Sequence, residues 1–460
     1  MLPTRWHTAR PEQKDPMGFW IALSLAVVCL GMVTAVTSSA STRGALLSGS
    51  HEICGEISTD DRWTAEEGTY HVTCDATLPA DVTLEVEPGV EVRFAAGVSL
   101  TISGTLLVNG TPDKPVTFTS GLEPAAAPGD WGGLYFVLGS SDSHLAWCLV
   151  EYATTGLRIY AGPGETVSPT FSDCTVRHSS LDGIQIEGFA RDCDGALALP
   201  TITGCLVVQN GRCGIYGYGH GDPDGGCTEF TAGGVGGSVS GSAIRQNQGS
   251  GICLEARWDG TELGQGDVWM GIEANVISGN AVHGVYLHES DRVHSRIDNN
   301  LIYENAGAGL QSDAKHEEMD LFVANNTVAG NGGGGVVFKR SALLVHFINN
   351  IVVENEGFGL VADASNDPQA SNNDLWHNAS DDYSGCEPGV DDISADPLFL
   401  DVEAGNLRLP SRSPCIDAGT SAGAPATDFD GVSRPQGEEV DIGAYELGDQ
   451  KVYLPVMLCE

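Results

Sequence analysis

The sequence predicts an all-β fold, a right-handed parallel β-helix (solenoid) preceded by an N-terminal signal or anchor segment. Three observations predict it. A unit of 23 to 37 residues repeats along most of the chain, Asn recurs at one phase of that unit, and the aliphatic runs are short with no helical period.

The elements follow in order. Arg5, Arg10 and Lys14 precede an apolar run from Phe19 to Val36, closed by Thr37, Ser38, Ser39 and Ala40. A positive start, an apolar middle and small residues after it describe a secretory signal over residues 1–40. The run of 18 residues also reaches the lower limit for a membrane anchor. Residues 51–145 read as a cap and the first coils. Val82–Phe94, Leu100–Pro112 and Pro115–Ser120 alternate apolar and polar residues as strands do. Residues 146–385 carry the repeats, and residues 386–460 form a separate C-terminal segment.

In the repeats, the units starting at Cys148, Cys174, Cys205, Ser242, Asn275, Asn300, Asn326, Asn350 and Asn373 are spaced by 26, 31, 37, 33, 25, 26, 24 and 23 residues. Five places on, Asn210, Asn247, Asn280, Asn305, Asn331, Asn355 and Asn378 hold one phase. Equivalent positions of a solenoid stack, and an amide can accept from one neighbour while donating to the next. Asn also tolerates the left-handed backbone of a tight corner. The column is therefore expected as a buried ladder at a corner, with Cys148, Cys174 and Cys205 as small apolar members of a second stack.

The stretch Trp63 to Leu134, with Gly129-Asp130-Trp131-Gly132-Gly133 at its end, resembles the opening of right-handed parallel β-helix repeat proteins of the pectate-lyase-like superfamily. The tail Ser413-Pro-Cys-Ile-Asp-Ala-Gly419, Asp428-Phe-Asp-Gly431, Arg434-Pro435 and Val440-Asp-Ile-Gly-Ala-Tyr-Glu446 resembles the choice-of-anchor segment of bacterial surface proteins. The resemblance implies export and this fold. It selects no activity, because such helices carry lyases, hydrolases, epimerases and adhesins.

The extra residues of the longer units all follow the second aliphatic strand: 161–169, 187–200, 219–237, 256–271 and 288–295. Insertions at one phase emerge on one face, a frequent binding face. Outward positions on that strand give Tyr160, Glu187, Tyr218, Glu255, His288, Asp313, Lys339 and Asp363 in one column. Arg158, Gln185, Tyr216, Cys253, Tyr286 and Gln311 form the next. Successive members lie about 4.8 Å apart. Glu255, His288, Asp313 and Lys339 would then supply proton transfer, and carboxylates flanking His288 would favour its charged form. Tyr216, Tyr218, Tyr286, Trp258 and Trp269 would offer faces to sugar rings. The plainer alternative is ordinary cross-strand charge pairing. Asp222 and Asp224 could hold Ca²⁺ through their oxygens.

Charge narrows the function classes. With 62 Asp+Glu against 22 Lys+Arg the net charge is −40, so no basic footprint exists for nucleic acid. Export makes disulfides the default for the cysteines. Cys54 with Cys74, and Cys193 with Cys227, are the expected pairs. No dinucleotide fingerprint, P-loop, nucleophile elbow or His-Glu-x-x-His motif occurs. The sequence reading is a secreted or surface-anchored β-helix, monomeric and facing carbohydrate. A polysaccharide lyase or glycoside hydrolase is the enzymatic alternative and a structural or adhesive surface protein the other. Membrane contact is expected only through the N-terminal segment.

Overall fold

A computed structural model describes residues 50–448 apart from 123, 223–230, 258–263, 289–291, 314–317, 340–342, 364–367 and 403. Residues 1–40, expected as a signal or anchor, lie outside the described residues, and no helix among those described is long and apolar enough to cross a membrane.

The described chain is a right-handed parallel β-helix. One coil consists of Cys148–Glu151, Leu157–Ala161 and Thr170–Ser172. Each strand pairs in parallel with its equivalents in the coils before and after. Three ladders result. The first runs through Cys148–Glu151, Thr175–Arg177, Leu206–Val208, Ala243–Arg245, Val276–Ser278, Leu301–Tyr303, Thr327–Ala329, Ile351–Val353 and Asp374–Trp376. The second contains Leu157–Ala161 and its equivalents, the third Thr170–Ser172 and its equivalents. Alternation decides what is inside: Leu157, Ile159 and Ala161 are buried while Arg158 and Tyr160 are not. The inward aliphatic and aromatic side chains make one continuous core from Trp63 to Leu375.

The Asn column is a ladder, as the repeat predicts. Asn305 and Asn331 are 1% and 0% exposed. The Asn305 backbone N–H and Nδ2 both donate to Asn331 Oδ1, at 3.1 and 3.0 Å, and Nδ2 also donates to the Ile277 carbonyl at 3.0 Å. The same contacts run from Asn210 to Asn378, where Asp382 Oδ1 accepts the last amide at 2.9 Å. A second ladder, Asn275, Asn300, Asn326, Asn350 and Asn373, ends the same way on Asp392. A carboxylate accepts without needing to donate, which suits a terminus.

One detail differs from expectation. The ladder Asn residues are not left-handed; the residue before each one is. Asn299, Asn325, Asn349 and Asn372 have φ of 54–56°. The inward amide needs the regular backbone direction, so the corner is turned one residue earlier.

Those four left-handed Asn residues point outward and hold the C-terminal segment. Asn299 Nδ2 donates to Thr427 O, Asn325 Nδ2 to Asp441 O, Asn349 Nδ2 to Thr420 O and Asn372 Nδ2 to Ala418 O. Leu407, Leu409, Cys415, Ile442, Ala444 and Tyr445 then form a second core on Leu301, Ala329, Ile351 and Val353. Within the segment Arg434 and Glu446 make an ion pair at 2.8 Å with both side chains 1% exposed. Asp428 and Asp441 accept turn amides, and Asp430 pairs with Arg408.

Cys54 and Cys74 form a disulfide between paired strands, with Cα atoms 4.9 Å apart. Cys193 is disulfide-bonded; Cys227 lies outside the described residues. A further bond, Cys213–Cys253, joins neighbouring coils on the outer face. Strand alternation left Cys253 pointing outward but gave it no partner, because Cys213 sits in the preceding turn.

Candidate functional site

The outward face of the second ladder carries the predicted column in the predicted order. Tyr160, Glu187, Tyr218, Glu255 and His288 are register partners on successive strands. Asp313 and Lys339 follow, each donating its backbone N–H to the preceding strand, at Leu287 O and Ser312 O. Arg158, Gln185, Tyr216, Cys253, Tyr286 and Gln311 form the adjacent column.

Side-chain contacts divide this face into two clusters. In the first, Tyr216 donates its hydroxyl to Glu255 Oε2 at 2.8 Å, and Arg257 donates to Glu255 Oε1 at 3.0 Å. The Arg257 guanidinium lies 4.8 Å from the centre of the Tyr218 ring. Tyr218 stacks on His220 at 4.3 Å, and His220 on Phe189 at 4.5 Å. Burial, and next the bond to Glu255, push the Tyr216 phenol well above its usual range, so it stays a donor. Glu255 is 6% exposed with both oxygens bonded. Both contacts fix its position between Tyr216 and Arg257.

The second cluster centres on the Tyr286 hydroxyl. The Tyr286 hydroxyl lies 2.7 Å from His288 Nδ1 and donates to Asp313 Oδ2 at 2.8 Å. Gln311 Nε2 donates to the same oxygen at 3.0 Å, and Lys339 Nζ lies 3.9 Å from Asp313 Oδ1. A phenol has one proton to give. With that proton directed at Asp313, His288 Nδ1 is the donor in the other contact. The Tyr286 hydroxyl is thus held between His288 and Asp313. His283 is 5.0 Å from Tyr286 ring to ring, and its Nδ1 accepts the Ala308 N–H at 3.0 Å. Burial lowers its proton affinity, so this imidazole stays neutral. It lies in the turn before the strand, where strand alternation assigns no direction.

The insertions do stack in register, at Arg191 with Asp222 and His220 with Arg257. Strands Ile184–Arg191, Ile215–Asp222 and Ile252–Arg257 widen the face sideways, and strands returning through Thr231–Val235 and Gly264–Val268 back them. The two layers are in backbone contact: a β-carbon on Gly219 would meet the Gly233 carbonyl. From Val285–His288 onward the strand is short, so the second cluster sits where the wide face narrows.

Trp269 is not on this face. It lies against the backbones of Gly234 and Gly236 on the returning layer, which removes it from the stacking set. Trp258 and Asp224 lie outside the described residues, as does the side chain of Asp222. Among the described residues no group of three or more His, Cys, Asp or Glu side chains could hold a metal ion.

A family described as the right-handed β-helix region matches residues 230–375, and one described as the pectate-lyase-like β-helix domain matches residues 55–147. No curated protein matches the sequence. Among solved structures, the periplasmic alginate epimerase AlgG aligns at 14% identity over 70% of this chain and 78% of its own, with TM-score 0.48. Pectate lyase Pel9A aligns at 15% over 85% and 97%, with TM-score 0.43. The mannuronan C-5 epimerase AlgE6 A-module of Azotobacter vinelandii aligns at 14% over 76% and 91%, with TM-score 0.43. The two family matches and the parallel ladders agree on one conclusion: the chain is a right-handed parallel β-helix.

Proposed function

We propose that the outer face of the second ladder binds an extended acidic polysaccharide, and that Tyr286, His288, Asp313 and Lys339 cleave it by β-elimination. The observation that carries this reading is the single hydroxyl of Tyr286 bridging His288 and Asp313 beside a cation. Lys339 meets the carboxylate of a uronate unit. His288 Nε2 takes the proton next to that carboxylate, the bond to the neighbouring ring's oxygen breaks, a carbon–carbon double bond forms, and Tyr286 returns a proton to the departing oxygen. Asp313 orients Tyr286, and His288 Nδ1 passes a proton to the Tyr286 oxygen across their contact, so that the proton taken at Nε2 balances the one given to the departing oxygen. Tyr216 and Tyr218 then bind sugar upstream. The match to a pectate-lyase-like domain supports a polysaccharide, and the disulfides support an extracytoplasmic location. A glycoside hydrolase is disfavoured, because it needs two carboxylates with room for chemistry and Glu255 is enclosed by Tyr216 and Arg257.

The test is incubation of the purified chain with polygalacturonate, polymannuronate and a neutral galactomannan. Unsaturated ends should appear on an acidic polymer, and His288→Ala and Lys339→Ala should lose them with unchanged circular dichroism. Reducing ends without unsaturation would favour the hydrolase. No product from any polymer would leave a surface protein whose face is a charge ladder.

A further inference from the structure

A second face of the solenoid carries a cavity that the reading above does not use. It has a volume of about 420 Å³ and lies on the third ladder, against the C-terminal segment. Its floor belongs to one outward column, in which Arg296, Phe322, His346 and Gln369 are register partners on successive strands; Phe322, His346 and Gln369 line the cavity and Arg296 continues the column. The Arg296 guanidinium lies 5.1 Å from the centre of the Phe322 ring, and Phe322 stacks on His346 at 4.1 Å with the rings 19° apart. Each ring is thus fixed by its neighbour, and the stack ends beside an exposed Gln369.

The opposite wall is Ala422 and Gly423 of the C-terminal segment. It is held in place from both sides. Arg296 donates to the Gly423 carbonyl at 2.7 Å, while Asn349 exchanges two hydrogen bonds with the Thr420 backbone at 2.8 Å each. Gly423 adopts φ +87°, and a β-carbon there would lie 2.6 Å from Ile348 Cδ1. The close approach of the wall to the sheet therefore requires glycine. The cavity is preformed.

Its chemistry is specific. The apolar lining comes from Phe322, Ile348, Ala370 and Ala422, and the polar lining from His346, Gln369 and Ser371. No carboxylate, lysine or arginine lines it, in a chain of net charge −40. Donors and acceptors set around a small apolar and aromatic patch match a ligand with C–H faces and several hydroxyls. The volume lies within the range of small-ligand pockets, roughly 300–1,000 Å³. We propose that this seam binds one neutral pyranose unit. It rests on its own residues and stands whether or not the Tyr286 cluster cleaves anything.

Saturation-transfer NMR on the full chain with the methyl glycosides of glucose, galactose and mannose tests it. At least one should receive saturation. Ala422→Trp fills the cavity from an exposed position, so it should abolish the signal with the circular dichroism unchanged. His346→Ala should weaken the signal, and His288→Ala should leave it intact. Absence of transfer to all three glycosides overturns the proposal. So does transfer that persists in Ala422→Trp, or transfer to the aromatic probe benzamide with none to a sugar.

Discussion

The coils upstream of residue 242 and those downstream of residue 275 use the same corner differently. Upstream, the inward stack is Cys148, Cys174 and Cys205, each 1–2% exposed. The left-handed residues before Cys174 and Cys205 are Asp173 and Gly204. Downstream, the inward stack is Asn, and the left-handed residue is Asn as well from Asn299 on. The coils with the Asn–Asn doublet are the coils that the C-terminal segment covers. In each doublet the second Asn bonds along the axis inside, and the first reaches out to the segment. The doublet therefore separates two tasks that a single Asn at a corner cannot perform. Upstream coils instead carry the long insertions, and their outer first-ladder face holds charged pairs such as Arg177 with Glu151.

The largest effect that breaks this comparison should come from the buried ion pair. Glu446→Ala leaves the Arg434 guanidinium buried and unpaired, a loss of about 3–5 kcal/mol. Hydrogen exchange should show residues 413–446 losing protection while residues 148–215 keep theirs. Equal loss in both regions would mean that the segment and the upstream coils unfold together.

Next comes the inner ladder. Asn305→Leu removes the Oδ1 that accepts from the Asn280 backbone N–H and Nδ2, and the Nδ2 that donates to Ile277 O, and should cost on the order of 1–3 kcal/mol for each buried group left unsatisfied. Cys174→Ala upstream removes one thiol from an apolar stack and should cost less. Urea unfolding of the two variants ranks them, and a reversed order would overturn the division between polar and apolar stacks.

The outer row should matter less. Asn325→Ala removes donors to the carbonyls of Asp441 and Gly443, about 0.5–1.5 kcal/mol per bond. The exchange of the segment's amides should quicken while ladder amides hold.

The smallest effect concerns pH. Burial raises the Asp374 and Asp441 carboxyls to about 6, both at the contact with the C-terminal segment. Unfolded, they titrate near the usual 3.9. The folded state therefore binds their protons more tightly. Their contribution grows as pH falls from about 6 toward about 4 and is lost as pH rises through 6. The melting temperature of the wild type minus that of Asp441→Asn should rise between pH 7 and pH 5. A flat difference would show that Asp441 does not titrate in that window.

The repeat alone determined much of this molecule. A phase held over seven Asn residues is a statement about which positions stack, and stacking at one rise per coil fixes both the parallel ladders and the outward columns. Glu255, His288, Asp313 and Lys339 followed from that alternation, and they lie on successive coils. The contacts within the face could not be read the same way. Whether Tyr286 turns to His288 or offers its ring to solvent depends on rotamers set by neighbours on other coils. Nothing in the repeat marks the first Asn of each doublet for a task of its own, because its partner lies 71 residues away in sequence for Asn349 and 128 for Asn299. The repeat encodes what stacks on itself, and only the folded chain brings a non-repeating segment such as the C-terminal one against it.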